Sequence, residues 1–387
     1  MRPARAADTP SYAEIAREWG RIGCTGFGGP PAHIALLREL CVKRRAWLSD
    51  TQFEHAIAAT NLLPGPASTQ LAIYCAWRLR GNRGALLGGL CFVVPGLVMI
   101  LALSVLFLAQ APPKWVIGAG AGAGAAVAAV AVRAGLQVGA PIYKRTARKE
   151  LPRIAAYALA GGASAATAGP WLVLVLLACG AIELAWRLAP NRGLPGMHAW
   201  PLLAAATEPG GVGALAWTAF KVGALAFGGG FVIIPLMQTD AVDTYHWMTH
   251  AQFLNAVALG QVTPGPVVQT VAAVGYSAYG IPGGLLAAAI AFAPSFAFVL
   301  VGAARFERLL HDERVSAFLA GAAPAASGAI VGAAIPLALA LSQAWQYALL
   351  AAAAIALFEL RASVLATLLG AGALGIVAVL LGATAPG

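Results

Sequence analysis

Charged residues are scarce in this sequence. Asp, Glu, Lys and Arg make up 10% of the 387 residues, against about a quarter in ordinary soluble domains. The apolar fraction is 60%, and the mean hydropathy is +0.77. This composition excludes a soluble globular protein and a disordered chain. It also argues against nucleic-acid binding despite a net charge of +10, because such a basic excess is typical of loops beside anionic lipid.

Catalytic and metal-binding patterns are missing from the sequence as well. The five cysteines share no CxxC spacing, so we expect neither a disulfide framework nor a cysteine metal site. His246 and His250 lie four residues apart, but no HExxH motif accompanies them. The apolar segments hold no paired carboxylates and no nucleophile beside a base. We therefore expect a protein that is not an enzyme and needs no cofactor or metal, with an intramembrane enzyme as a lower-ranked alternative.

Long runs without any charged residue indicate the fold class. The longest, 244–304 and 315–358, each exceed the roughly 20 apolar residues that a helix needs to cross a bilayer. The sequence therefore predicts an all-α polytopic membrane protein. Eight clear spans are predicted, at 84–109, 115–139, 154–169, 171–188, 284–304, 315–341, 345–359 and 362–382.

The chain repeats itself after 200 residues. Phe27-Gly28-Gly29 corresponds to Phe227-Gly228-Gly229, and Pro64-Gly65-Pro66 corresponds to Pro264-Gly265-Pro266. After a slip of one residue, Pro95 corresponds to Pro294. Two structural repeats, 1–197 and 198–387, are therefore predicted, and internal repeats are the usual construction of secondary transporters. Gly and Pro interrupt 11–80 and 211–280, which predicts broken or re-entrant helices and about 10–13 membrane segments in all.

The two repeats differ sharply in charge. The first 200 residues hold 20 of the 25 Lys and Arg residues. The loop with Lys43-Arg44-Arg45 corresponds to Asp243-Thr244-Tyr245, and the loop with Arg78, Arg80 and Arg83 corresponds to Ala278, Gly280 and Gly283. Because cytoplasmic loops are rich in Lys and Arg, equivalent loops are expected on opposite faces, which makes the repeats inverted. The basic loop 141–153 is expected in the cytoplasm, and the C-terminus on the outer face.

Each repeat is interrupted at two places, and these interruptions form the candidate site. Irregular backbone at membrane depth is tolerated only where protein or water buries it. New helices are expected to start near residues 31, 66, 231 and 266, with Pro66 and Pro266 in their first turns. Each helix start acts as about half a positive charge. Four starts that meet near the membrane midplane would therefore suit a small oxyanion.

Side chains near these starts are the candidate ligands. Thr69 and Gln70 follow the first Pro-Gly-Pro, and Gln269 and Thr270 follow the second. They are either anion donors or ordinary polar residues of a helix start.

Four charged or titratable residues extend this list. Arg21 and Lys221 are equivalent, and a cation within a membrane segment is a functional candidate. Snorkelling to the interface, or an interfacial helix for Arg21, is the alternative. His33 and Glu54 are candidates for carrying protons, with a structural histidine and a solvated helix start as the alternatives. A further cation, Arg133, is expected to snorkel from the cytoplasmic end of its helix.

Together these motifs resemble the chromate ion transporter family, in two copies that cover nearly the whole chain. The resemblance implies a bacterial inner-membrane carrier with antiparallel halves, which exports chromate with the proton-motive force and confers chromate resistance. The second repeat has Gly230 and Ile233 in place of Pro30 and His33, so the halves need not contribute equally. The motifs are Gly26-Phe27-Gly28-Gly29-Pro30 with His33, Leu63-Pro64-Gly65-Pro66 with Gln70, Phe227-Gly228-Gly229-Gly230 with Pro235, and Gly260-Gln261-Val262-Thr263-Pro264-Gly265-Pro266.

The residues alone do not separate chromate from other substrates. Chromate and sulfate are both tetrahedral dianions, so a transporter of sulfate or another small anion stays an alternative, as does a passive channel. The expected partners are chromate or a similar oxyanion, protons and membrane lipid, and a homodimer is left open. The expected mechanism is alternating access, in which one repeat rocks against the other around the breaks.

Overall fold

The computed structural model shows a helical chain. It describes residues 10–61, 63, 65–109, 111–167, 172–188, 211–226, 230–303 and 312–384. The first half contains α1 (Tyr12–Thr25), α2 (Gly29–Arg38), α3 (Asp50–Asn61), α4 (Ala67–Phe107), α5 (Lys114–Arg145), α6 (Leu151–Thr167) and α7 (Leu172–Leu188). The second half contains α8 (Val212–Leu225), α9 (Ile234–Gln238), α10 (His250–Val262), α11 (Thr270–Gly302), α12 (Glu313–Gly332), α13 (Ala334–Leu339), α14 (Ala344–Phe358) and α15 (Val364–Leu380).

The helices confirm the predicted all-α polytopic membrane class. Within the described chain, four segments are long and apolar enough to cross a membrane, namely Ala67–Phe107, Lys114–Arg145, Val267–Gly302 and Glu313–Leu339. One predicted boundary is wrong, because α5 does not end at residue 139 but continues through Pro141 to Arg145. Lys144 and Arg145 occupy its last turn, where cations favour the negative end of the helix dipole.

The helix α4 is a hairpin of two antiparallel halves. Arg80 and Gly81 leave helical geometry, and Gly81 has φ +59° and ψ −153°, a conformation that is essentially restricted to glycine. Beyond this turn the chain folds back, so that Gly89 contacts the side chain of Ile73. The same two residues would lie about 24 Å apart along a straight helix.

The helix α11 folds back in the same way. Tyr279 and Gly280 have nearly the same angles as Arg80 and Gly81, and Gly283 contacts the carbonyl of Gly275. This pairing corrects one sequence correspondence. The one-residue slip already lies before the turn, so Arg80 corresponds to Tyr279 rather than Gly280. The equivalent turn still carries no Lys or Arg, and the charge argument is unchanged.

Each repeat begins with two re-entrant hairpins that return to the same face. The first joins α1 to α2, and the second joins α3 to the first half of α4. Arg80 Nε donates to the carbonyl of Pro10 at 2.6 Å, which places the turn of α4 beside the start of α1. In the second repeat Ser277 Oγ donates to the carbonyl of Trp247 at 2.8 Å. The open ends of the hairpins, where the chain enters and leaves them, therefore lie together. The breaks lie at the opposite, closed tips.

Equivalent helices of the two repeats pack antiparallel. Between the second halves of α4 and α11, Gly89 contacts the Phe296 ring, and Leu101 contacts Gly284. Rising residue numbers on one helix thus meet falling numbers on the other. The helices α5 and α12 show the same relation, since Gly135 contacts Val331 and Gly139 contacts Ser327. Equivalent membrane helices that run in opposite directions are what inverted repeats require.

Helices of each repeat also pack against helices of the other repeat. The helix α5 of the first repeat packs against α14 and α15 of the second, and α12 packs against α6 and α7. Small residues permit the close approach, as where Gly118 and Gly122 lie against the backbone of Gly375 and Ala371. The predicted boundary between residues 197 and 198 falls in 189–210, outside the described residues, so the division into two domains stays a prediction.

The turn of α4 gives a test of the fold. Gly81→Ala is expected to lower the free energy of unfolding by about 1–3 kcal/mol, because its backbone conformation suits glycine alone. Crowding is not the cause, since nothing lies within 4 Å of the added Cβ. Gly20→Ala is the control, because Gly20 has the same free space inside α1 and alanine favours a helix. Thermal unfolding in detergent measures both, and a Gly81→Ala protein as stable as the wild type would contradict this turn.

Candidate functional site

The breaks of the first repeat depend on glycines with positive φ. Gly28 and Gly29 have φ +100° and +71° just before Pro30, and Gly65 has φ +117°. Pro30 lies in the first turn of α2, where its missing N–H costs nothing. The expectation for Pro66 is wrong, because Pro66 is the extended residue before α4 and its carbonyl accepts from the N–H groups of Thr69 and Gln70.

The second repeat has the corresponding breaks. Gly230 and Gly265 have φ +91° and +99°. Short 3₁₀ turns at Phe231–Ile233 and Val267–Gln269 then lead into α9 and α11, and Pro266 again precedes its turn. Four predicted site residues, Pro64, Phe227, Gly228 and Gly229, lie outside the described residues.

The carbonyl of Gly26 joins the two repeats at their breaks. It accepts from the N–H of Gly265 at 3.0 Å and lies 2.8 Å from His33 Nε2. His33 Nδ1 is 3.2 Å from Ser68 Oγ at the start of α4. Gly230 and Gly29 both contact Val267. All four breaks are therefore connected within one cluster.

Hydrogen bonding defines the state of His33. A carbonyl can only accept, so Nε2 must carry the proton that Gly26 receives. In the neutral ring Nδ1 then accepts from the Ser68 hydroxyl. The ring is fully buried and meets Phe92 edge-on at 5.0 Å. In this conformation His33 holds the two breaks of its own repeat together.

Each Pro-Gly-Pro segment contacts the middle of the other repeat's long hairpin. Gly65 lies beside Ser295 in α11, and Gly96 in α4 lies against the Pro264 carbonyl and the Gln269 side chain. Gln269 Nε2 donates to the carbonyl of Val93 at 2.8 Å. Gly96 and Ser295 each follow the mid-helix proline of their repeat, so these two contacts are equivalent.

The polar residues after each Pro-Gly-Pro are buried in this crossing. Thr69, Gln70, Gln269 and Thr270 are each at most 1% exposed. Thr270 Oγ1 donates to the carbonyl of Val267 at 2.8 Å. Thr69 Oγ1 and Gln269 Oε1 have no hydrogen-bond partner within the described chain. The structure thus brings these four residues to the breaks, at the interface of the repeats.

The equivalent cations Arg21 and Lys221 point away from the breaks. Gly23 and Gly223 face the crossing, where they meet the carbonyls of Phe92 and Ala291. Each cation lies two residues earlier, which is about 200° around the helix. Lys221 Nζ lies 2.6 Å from Asp240 Oδ2, while the 51% exposed Arg21 side chain pairs with Glu18 at 3.2 Å.

The carboxylates near the first repeat are also paired with arginines. Burial raises the pKa of Glu18, but hydrogen bonds from Arg45 and Arg44 outweigh it and hold the pKa below its ordinary value. Glu54, a predicted proton carrier, is exposed and hydrogen-bonded to Arg38. Glu54 therefore lies on the solvated side of α3, where it is not brought together with His33.

A cavity of about 150 Å³ opens beside the start of α2. Gly28, Gly29 and Pro30 line one side, and Arg133 of α5 and Gln261 of α10 line others. In the structure the Arg133 side chain lines this cavity, and its Nη1 donates to the carbonyls of Leu357 and Ala362. The helix α5 runs twelve residues beyond Arg133, about 18 Å, and snorkelling of this side chain stays a prediction.

The sequence prediction for Arg133 is snorkelling alone, although the sequence also marks it as a functional candidate. It is the single charged residue between Lys114 and Lys144, and a lone cation inside a membrane helix is a functional candidate. Gln261 was noted only as part of a motif. Within the described residues, no group of three or more His, Cys, Asp or Glu side chains could hold a metal.

Comparisons with known proteins agree with the family resemblance that the paired Phe-Gly-Gly and Pro-Gly-Pro motifs indicate. A family model described as "Chromate transporter" matches residues 13–184 and 213–376. The chain is 32% identical over 350 residues to a chromate transport protein of Cupriavidus metallidurans, covering 86% of this chain and 84% of that one. It is 30% identical over 356 residues to a chromate transport protein of Pseudomonas aeruginosa, covering 87% and 85%. No solved structure matches significantly.

The crossing of the repeats can be tested at Gly96. Gly96→Ala is expected to destabilise the protein by about 1–3 kcal/mol or more, because the added Cβ would overlap the Pro264 carbonyl and the Gln269 amide. Gly370→Ala in α15 is the matched control, since nothing lies within 4 Å there. Thermal unfolding in detergent compares the two variants. Equal stabilities would show that α4 and the second Pro-Gly-Pro are not packed this closely.

Proposed function

Because this chain belongs to the chromate transporter family, we propose that it exports chromate across the bacterial inner membrane as a secondary transporter. Two relatives of similar length, from Cupriavidus metallidurans and Pseudomonas aeruginosa, are chromate transport proteins by name, which supports the substrate. Export would confer resistance to chromate. The C-terminus would lie on the outer face, as the basic loops of the first repeat favour.

The observation that carries this proposal is the meeting of broken helices across the repeat interface. The Gly26 carbonyl of one repeat accepts from the Gly265 N–H of the other, at the tips of hairpins from inverted halves. Transporters built from inverted repeats bind their substrate near such discontinuous helices. Because the tips consist of irregular backbone, the tip of one repeat can separate from the tip of the other by exchanging a few hydrogen bonds. No helix needs to unfold.

The charge of the substrate supports export as the direction of transport. Moving one charge through 100 mV changes its energy by about 2.3 kcal/mol. An inside-negative potential therefore favours outward movement of a dianion by about 4–5 kcal/mol per 100 mV. Proton coupling would add to this driving force, with His33 as the buried candidate and Glu54 as the candidate at the exposed end of its repeat.

The proposed substrate, chromate, is more specific than the chemistry of the site alone requires. Helix starts and amide donors recognise charge and hydrogen-bond acceptors, which chromate and sulfate share. A transporter of sulfate or another small anion is therefore the alternative. A competition experiment between chromate and sulfate distinguishes a chromate transporter from a transporter of sulfate.

Flux in everted membrane vesicles tests the proposal. Radiolabelled chromate should accumulate in energised vesicles that contain the protein, and an uncoupler should reduce that accumulation. Vesicles from cells with the empty vector provide the background. Full competition by an equal concentration of sulfate would favour the alternative, and flux at background level in vesicles shown to contain the protein would overturn chromate transport.

The inverted topology gives a second prediction. In a cysteine-free background, Lys43→Cys is expected to react with an impermeant maleimide only in inside-out vesicles, and Asp243→Cys only in right-side-out vesicles. Both positions are exposed and equivalent in the two repeats, so accessibility does not bias the comparison. Reaction of both cysteines from the same side would contradict inversion.

A further inference from the structure

We infer that the cavity between α2, α5 and α10 is the binding site for a tetrahedral oxyanion, held by Arg133 and Gln261. This deepens the proposed function and rests on it. The site differs from the four helix starts expected from the sequence. Val267 and Val268 fill the space between the helix starts at Gly29 and Gly230. Valine side chains have neither a hydrogen-bond donor nor a positive charge for an anion.

The guanidinium of Arg133 presents an unused pair of donors. Its Nη1 donates to the carbonyls of Leu357 at 3.2 Å and Ala362 at 2.5 Å, which fixes the side chain. Its Nε–H and both Nη2 hydrogens have no partner among the residues that the structure describes. Nε and Nη2 form the edge that binds an oxyanion through two parallel hydrogen bonds.

Arg133 also lacks a counter-ion. Arg21, Arg38 and Lys221 all pair with carboxylates, whereas no carboxylate of the described chain lies within 4.0 Å of Arg133. A charge within a membrane-spanning helix is costly unless something neutralises it. An anionic substrate would supply that neutralising charge when it enters the cavity.

Gln261 provides an independent sign of a ligand. Its side chain is 8% exposed and lines the cavity, and its Nε2 has no hydrogen-bond partner in the described chain. A buried amide donor without a partner is destabilising. An oxyanion between Gln261 and Arg133 would accept its hydrogen bond and remove that cost.

The start of α2 completes the site. This ten-residue helix begins at Gly29, and its first residues line the cavity. The positive end of its dipole therefore favours an anion there. One water needs roughly 10–15 Å³, so the 150 Å³ cavity holds an oxyanion of five heavy atoms together with waters.

Residues of both repeats enclose this cavity. The starting turn of α2 and Arg133 belong to the first repeat, while Gln261 and Phe231 belong to the second. Rocking of one repeat against the other would therefore change the distance between Arg133 and Gln261. A site of this kind binds its anion in one arrangement and releases it in another, which alternating access requires.

Equilibrium binding to the purified full-length protein tests the site. Radiolabelled sulfate and radiolabelled chromate serve as probes in a scintillation proximity assay. Arg133→Lys keeps the charge but loses the two-donor edge, and Gln261→Met keeps the size but loses the donor. Both variants are expected to bind the two probes about tenfold more weakly or worse, since tenfold corresponds to about 1.4 kcal/mol.

Arg145→Gln is the matched control. Arg145 is exposed in the last turn of the same helix, so this variant removes one positive charge without touching the cavity. It should bind as the wild type does. Because Gln261 Nε2 makes no hydrogen bond in the described chain, Gln261→Met should fold even if an Arg133 variant does not, and its thermal unfolding in detergent verifies this.

The outcomes separate this inference from the proposed function. Wild-type affinity in folded Gln261→Met and Arg133→Lys would overturn the site while leaving chromate export intact. Arg133-dependent binding of sulfate without chromate flux would support the site and overturn chromate as the substrate. Absence of measurable binding of either probe to the wild-type protein would overturn the site.

Discussion

The hydrogen bonding of the Gly26 carbonyl is the constraint on which the rest of the structure depends. Backbone groups at membrane depth need partners from the protein, because lipid offers none. The broken helices leave such groups at the tips of the hairpins. Gly26 receives the N–H of Gly265 from the opposite repeat and the ring N–H of His33 from its own. Contact between the two repeats therefore stabilises the breaks.

The backbones of the repeats are nearly equivalent, but their side chains are not. The two hairpins turn at Gly81 and Gly280 with matching angles, whereas His33 in the first repeat corresponds to Ile233 in the second. Glu18 forms ion pairs with several arginines, while Asp240 forms an ion pair with a single lysine. The common backbone provides the inverted framework, and the unequal side chains allow one binding cavity to form on one side of it.

The sequence predicted the fold well because its strongest signals are local. Long apolar runs predict helices, and Gly and Pro at positions 200 apart predict equivalent breaks. The charge difference between equivalent loops also predicts that the repeats are inverted. The site was harder to predict, since its contacts join distant segments. Nothing in the spacing of Lys221 and Asp240 shows that they pair. The hydrogen bonds from Arg133 to Leu357 and Ala362 likewise join residues 224 and 229 positions apart.

The short arms of the re-entrant hairpins have a consequence for movement. The helix α3 has twelve residues, about 18 Å, and the first half of α4 is of similar length. Such arms reach beyond the middle of a 30 Å hydrocarbon core but do not cross it. A re-entrant hairpin made of two such arms can tilt or slide while both of its open ends stay in the same aqueous phase. The arginines at those ends then never enter the lipid, and the protein can change shape without carrying its own charge across the membrane.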